Sequence, residues 1–216
     1  ARRGASAWYY PIDGGDFDEL VHYLETFTDG NNAGWCLTDE FRDKLLSGDK
    51  DAVNRWGKML SCKGNVGSGY QFFVDKANRK APQMYKDKSL KIKSSQLCSE
   101  ITLFSDSDNT FTCVLASENL RKYDERPKML AFVGTVMLDC VASDFIEKAK
   151  EKGNMERAVR FTEQSRALGY GVMAFHTYLL DHSIVWGSLE SKFTNIKMFS
   201  TIKSEATHAT QWMAKV

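Results

Sequence analysis

No run in this chain approaches the roughly 20 consecutive apolar residues that a helix needs to cross a bilayer, so no membrane helix is expected. Nor does one sign of charge dominate. Lys and Arg number 29 against 28 Asp and Glu, a formal net charge of +1, which argues against direct nucleic-acid binding or a broad surface for anionic lipid. Close cysteine pairing is missing too: Cys36, Cys62, Cys98, Cys113 and Cys140 include no Cys-x-x-Cys and no zinc-like spacing, so no metal site is expected. An odd number of scattered thiols reads as reduced cysteines in a cytoplasmic compartment, with any disulfide transient and catalytic. Repeats, low-complexity runs and linkers are also lacking, which leaves no visible domain boundary. What remains is an ordinary globular composition: 216 residues, 43% hydrophobic and 26% charged, long enough to bury a sizeable core.

Helices alternate with short strands along the chain, and that order predicts an α/β architecture. Residues 5–12 are rich in aromatics and read as a strand closed by Pro11. Asp16 is placed to cap the next helix, with Glu19 at the capping-box position and Phe17, Leu20, Val21 and Leu24 at helical spacing. Asp29-Gly30-Asn31-Asn32 breaks the chain. A short strand at residues 35–37 and helices over 38–46 and 50–59 follow. Gly64, Gly67 and Gly69 read as a flexible connection before a strand over 70–74. A phosphate loop would need a strand ahead of it and a lysine-serine pair opening a helix behind it. Residues 75–90 read as polar and irregular, and residues 111–117 as a strand.

Pro127 opens a helix to about residue 150, whose buried face is expected to hold Leu130, Val133, Met137, Cys140, Val141 and Phe145. A helix over 155–167 ends at Gly169-x-Gly171-x-x-Ala174. With a helix ahead of it, this dinucleotide-like pattern lacks its strand–turn–helix context, so the glycines read as sites of close backbone approach. His176, just beyond, reads as a structural or surface histidine. A last helix over about 189–212 places Phe193, Ile196, Phe199, Ile202 and Ala206 on one face.

Chemistry concentrates in Ser94-Ser95-Gln96-Leu97-Cys98-Ser99-Glu100-Ile101. Cys98 and Glu100 stand two residues apart, so in an extended chain both side chains point to the same side. Cys113 follows in the next apolar run. Paired thiols beside a carboxylate suit redox chemistry, whereas a cysteine in an apolar strand is also a common small core residue.

Four stretches, in order, resemble the large, catalytic subunit of ribonucleotide reductase. They are Gly69-Tyr70-Gln71-Phe72-Phe73, Leu97-Cys98-Ser99-Glu100-Ile101, the Cys113 strand with Ser117-x-Asn119-Leu120, and Arg166-Ala167-Leu168-Gly169-Tyr170-Gly171-Val172. Arg2-Arg3-Gly4-Ala5 is similar to the family's Arg-x-Gly-Ala strand. The resemblance implies part of a ten-stranded α/β barrel with a central finger loop, here a partial barrel domain over residues 1–216. It implies Cys98 as the radical thiol that takes a hydrogen atom from C3′ of the ribose and Glu100 as general base at the 3′-hydroxyl. Cys113 would be one of two reducing thiols, and Ser95, Gln96 and Leu97 would meet the substrate.

By the same resemblance the substrate is a ribonucleoside di- or triphosphate, and no cofactor binds this segment directly. The radical comes from a dimetal small subunit or, in the alternative class, from adenosylcobalamin. Thioredoxin or glutaredoxin serves as reductant, and further segments of the large subunit are partners. The family usually has asparagine where this chain has Gln96, which displaces the amide by about a bond length, a shift that costs rate in a tight site. Restored asparagine is expected to raise turnover if glutamine is a defect. The same departure motivates a different reading, a non-catalytic assembly piece. The cysteine partner of Cys113 falls before Ala1 in the family, and the phosphate loop and relay tyrosines fall later. The chain therefore reads as an internal segment, inactive and poorly soluble alone.

Overall fold

The computed structural model describes residue 4, residues 6–27 and residues 31–215. The Arg2-Arg3 pair, the expected strand start at Ala5, the Asp29-Gly30 half of the expected break and Val216 lie outside the described residues, while Asn31 and Asn32, expected in that break, already belong to a strand that runs from Asn31 to Leu37. The chain divides into two compact units, Ala1–Ser107 and Asp108–Val216, each built around strands that pair in parallel.

In the first unit, β1 (Ser6–Pro11), β2 (Asn31–Leu37) and β3 (Tyr70–Phe73) form a sheet in that order. Parallel neighbours need long crossovers, and helices supply them: α1 (Phe17–Thr26) between β1 and β2, then α2 (Asp39–Leu46) and α3 (Lys50–Val66) between β2 and β3. Strand side chains alternate. Ala33, Trp35 and Leu37 therefore join Phe17, Leu24 and Met59 in the core under the helices. The Phe17 and Trp35 rings lie 5.0 Å apart, and full burial of side chains this size contributes about 1.5–3 kcal/mol each. Tyr9, Gly34 and Cys36 occupy the other face: Tyr9 pairs with Gly34, and Cys36 follows Gly34 by two.

Several local expectations change here. Asp16 precedes α1 but makes no side-chain cap. Its carboxylate instead accepts from the Tyr10 hydroxyl at 3.0 Å, and its N–H donates to the same oxygen. Thr38 does cap α2, accepting from Phe41 N. The glycine-rich connection is shorter than expected, because α3 runs through Gly64 to Val66. The stop is Gly67, at φ 70°, whose N–H bonds the Lys63 carbonyl, a left-handed cap that suits glycine. Residues 75–90 are not irregular either: they contain α4 (Val74–Lys80) and α5 (Gln83–Asp87).

The second unit pairs β4 (Val114–Asn119) with β5 (Leu168–Met173) in parallel. A 3-10 turn (Leu120–Glu125), α6 (Leu130–Glu151) and α7 (Glu156–Ser165) connect them, and α8 (Phe175–Asp181) and α9 (Leu189–Met213) follow. Residues 168–173 are thus a strand, not the end of a helix. Gly169 and Gly171 lie within it, paired with Leu115 and Ser117, and a Cβ on Gly171 would come within 3.4 Å of Ser117 Oγ. Cys113 sits one residue ahead of β4 rather than inside a strand.

The buried face of α6 is the opposite of the one expected. Ala131, Thr135, Leu138, Ala142 and Ala149 face inward, while Val133 and Met137 are 61% and 52% exposed and Cys140 is exposed. Small residues win this face because α9 and the Tyr170 ring approach closely: a Cβ on Gly134 would lie 2.3 Å from that ring. On α9, Met198, Ile202 and Ala209 are buried, whereas Phe193 and Ile196 face outward.

Candidate functional site

The residues predicted to carry chemistry in the first unit share one turn. After α5 the chain is pinned twice. Asn78 of α4 accepts from Ile92 N and donates to Ile92 O, at 3.0 and 2.8 Å. Cys36 Sγ then reaches the Lys93 carbonyl at 3.6 Å. Cys36 lies on the sheet face away from the core helices, so residues 92–101 lie against that face. Burial pushes the Cys36 thiol from 9.0 up to about 11, which keeps it a neutral donor there.

The chain next folds back on itself. Ser99 N donates to the Gln96 carbonyl at 3.1 Å, and Gln96 N donates to Ile101 O at 3.2 Å. Cys98 is thus in a tight turn, not an extended strand, and the alternation expected to aim Cys98 and Glu100 to one side does not apply. Both are exposed. Ser99 takes φ 69°, a left-handed conformation that costs a non-glycine residue about 1–2 kcal/mol.

Side chains hold the turn closed. Gln96 Oε1 accepts from Ile101 N at 3.0 Å. The buried Ser95 hydroxyl lies 2.8 Å from Ile101 O and 3.1 Å from Gln96 Oε1, and its single proton serves one at a time. From β1, the Tyr9 hydroxyl donates to the Gln96 carbonyl at 3.0 Å and sits 2.9 Å from Ser99 Oγ, so Ser99 O–H donates to it. Of the flanking residues, Leu97 is 38% exposed while Ser95 is turned inward. Sequence reasoning missed Tyr9 and Ser99. The aromatic β1 pattern located Tyr9 on a strand, but nothing local shows where its hydroxyl goes.

Cys113 belongs to the second unit and is exposed. His176 is also exposed, edge-to-face with Trp186 at 5.6 Å, in line with a surface histidine. A cavity of about 630 Å³ in this unit is lined by Thr135, Asp139, Arg166, Tyr170 and Lys203 among others, with Arg166 already paired to Asp139 at 2.6 Å. Among the described residues there is no cluster of three metal-ligating side chains and no helix long and apolar enough to cross a membrane.

Parallel strands with helical crossovers, and a thiol-bearing turn pinned to the sheet face those helices leave open, are the marks of an α/β protein. The comparisons name the family. Residues 40–216 match the model described as "Ribonucleotide reductase, barrel domain", and the chain belongs to that family. It is 34% identical to a Frog virus 3 (isolate Goorha) protein named as a ribonucleoside-diphosphate reductase large subunit, over 99% of this chain and 42% of that protein. It is also 34% identical to the ribonucleoside-diphosphate reductase large subunit of Invertebrate iridescent virus 3, over 79% of this chain and 27% of that one. The solved Actinobacillus ureae class Id ribonucleotide reductase alpha subunit is similar with a TM-score of 0.90 and 36% identity, over 97% of this chain and 41% of that chain. The chain thus spans about two fifths of the Frog virus 3 relative and of the solved alpha subunit.

Proposed function

We propose that this chain supplies the radical-thiol part of a ribonucleotide reductase that converts ribonucleoside diphosphates to 2′-deoxyribonucleoside diphosphates. One observation carries the reading: in a chain of the barrel family, Cys98 stands exposed on a turn anchored to the sheet face that the core helices leave open. The two units are two parts of one barrel domain, which residues 1–216 make up in part. The diphosphate assignment rests on the names of the relatives.

Cys98, as a thiyl radical, takes the hydrogen atom from C3′ of the ribose. Glu100 accepts the 3′-hydroxyl proton, the C2′–O bond breaks, and the 2′-hydroxyl leaves as water. Cys113 and a second thiol supply two electrons and two protons and become a disulfide. Cys98 then returns the hydrogen atom to C3′. The sum is one ribonucleotide and two thiols in, one deoxyribonucleotide, one disulfide and one water out. A barrel interior suits this sequence because it keeps bulk water from a carbon radical. Leu97 and Gln96 would meet the substrate, with Ser95, turned inward beside Gln96 Oε1, supporting them.

Relatives named as large or alpha subunits favour a separate small subunit with a dimetal centre as the radical source, over adenosylcobalamin. Thioredoxin or glutaredoxin would reduce the disulfide, in a cytoplasmic compartment that keeps the other thiols reduced.

The test is nucleotide reduction by the assembled reductase that contains this chain. Cys98→Ala is expected to bring deoxyribonucleotide formation down to background. Activity that survives the substitution refutes the assignment and favours the reading as a non-catalytic assembly piece.

A further inference from the structure

The turn that carries Cys98 contains a conformation it does not favour by itself. Ser99 sits at φ 69° directly after the thiol, and such strain persists where surrounding contacts over-determine it. Here the contacts come from a residue far off in sequence. The Tyr9 hydroxyl meets both ends of the turn, the Gln96 carbonyl at 3.0 Å and Ser99 Oγ at 2.9 Å.

Tyr9 is in turn held where it must be. Its ring lies over Gly34 on the neighbouring strand, so close that a Cβ there would come within 2.3 Å of it, and it meets Phe72 edge-on at 5.8 Å. An aromatic ring has few rotamers to lose, and this one is boxed by β2 and β3, so its hydroxyl is a fixed point. Ser95 and the Gln96 amide close the turn from within, while Tyr9 ties it to the sheet through the two residues flanking Leu97 and Cys98.

We propose that Tyr9 is a positioning residue for Cys98: its hydroxyl bridges Gln96 and Ser99, locks the left-handed Ser99, and fixes where the thiol is presented. The proposal rests on Cys98 as the reacting thiol. Hydrogen-atom transfer falls off steeply with misplacement, and a shift of about 1 Å can cost on the order of a hundredfold in rate.

Tyr9→Phe removes the hydroxyl and keeps the ring against Gly34. In the full 216-residue chain, iodoacetamide labelling of each cysteine is followed by peptide mapping. Cys140, exposed on α6, serves as the internal reference, and Cys62, on the buried face of α3, reports global unfolding. Tyr9→Phe and Ser99→Ala should each raise Cys98 labelling about threefold or more relative to Cys140, with Cys62 still protected. The double variant should add little to either single one, since both break the same bridge. In the assembled reductase, Tyr9→Phe should lower kcat about tenfold with KM within about twofold. An unchanged Cys98-to-Cys140 ratio, labelling of Cys62 in step with Cys98, or an unchanged kcat overturns the proposal. Failure of the site assignment shows separately, as activity that survives Cys98→Ala, while the labelling ratio tests the hold of Tyr9 on the turn in either case.

Discussion

Replacing Arg126 with methionine probes the least exposed charges of the second unit. The Arg126 side chain is 9% exposed and contacts two carboxylates, Glu118 at 3% and Glu205 at 12%. Its Nε donates to Glu118 Oε1 at 2.6 Å, and its two terminal nitrogens donate to Glu205 at 3.0 and 2.8 Å. Tyr170 O–H donates to Glu118 at 3.1 Å, and Met129 N and Ala131 N donate to Glu205 at 3.3 and 3.0 Å. Glu205 therefore caps the start of α6, which has no side-chain cap of its own, and the helix N-terminus offsets part of the second negative charge. With methionine, both carboxylates stay buried without a cation, a change that costs about 3–5 kcal/mol. At about 2–4 °C per kcal/mol for a chain of this size, the expected fall in Tm is about 6–20 °C, followed by circular dichroism.

The pH dependence identifies the cause. The Arg126 guanidinium holds the Glu205 carboxyl below its usual value of 4.5, against burial. Glu205 accordingly contributes stability above that value and loses it as pH falls through the lowered one. The variant lacks this contribution, so its deficit should shrink in acid. A deficit below about 1 kcal/mol, or one that stays constant as pH falls from about 8 to well below 4.5, would refute the reasoning.

Cys36 gives the opposite dependence. Its thiol titrates near 9.0 when unfolded and about 11 when buried, so its contribution is complete below pH 9 and is lost as pH rises toward 11. At about 1.4 kcal/mol per unit, up to roughly 3 kcal/mol should disappear across that window in urea titrations, and Cys36→Ala should flatten the slope; an equal slope in the variant would contradict the assignment. Gln96→Asn bears on the amide departure. Asparagine is one methylene shorter and loses the bond from Ile101 N, a neutral hydrogen bond contributing about 1 kcal/mol. Turnover of the assembled reductase should fall, and a rise would show that glutamine is a defect after all.

The amino-acid order alone determined the α/β class, the strands β1 and β3, the helix α2, and the family through Leu97-Cys98-Ser99-Glu100-Ile101 and its companion stretches. These are local signals: clustered aromatics, helices alternating with short strands, a short motif. Tertiary structure decided the rest. On α6, apolar side chains line two faces, and the one buried is lined with small residues because α9 and Tyr170 come close, which no hydrophobic pattern reports. Leu168–Met173 becomes a strand despite two glycines because β4 pairs with it along its whole length. Cys98 leaves the extended conformation because a hydroxyl ninety residues from Ser99 and the Gln96 side-chain amide, five residues from the Ile101 N–H it accepts from, hold a left-handed serine in place. A contact between residues so far apart in sequence exists only once β1 has formed, and only the folded chain contains it.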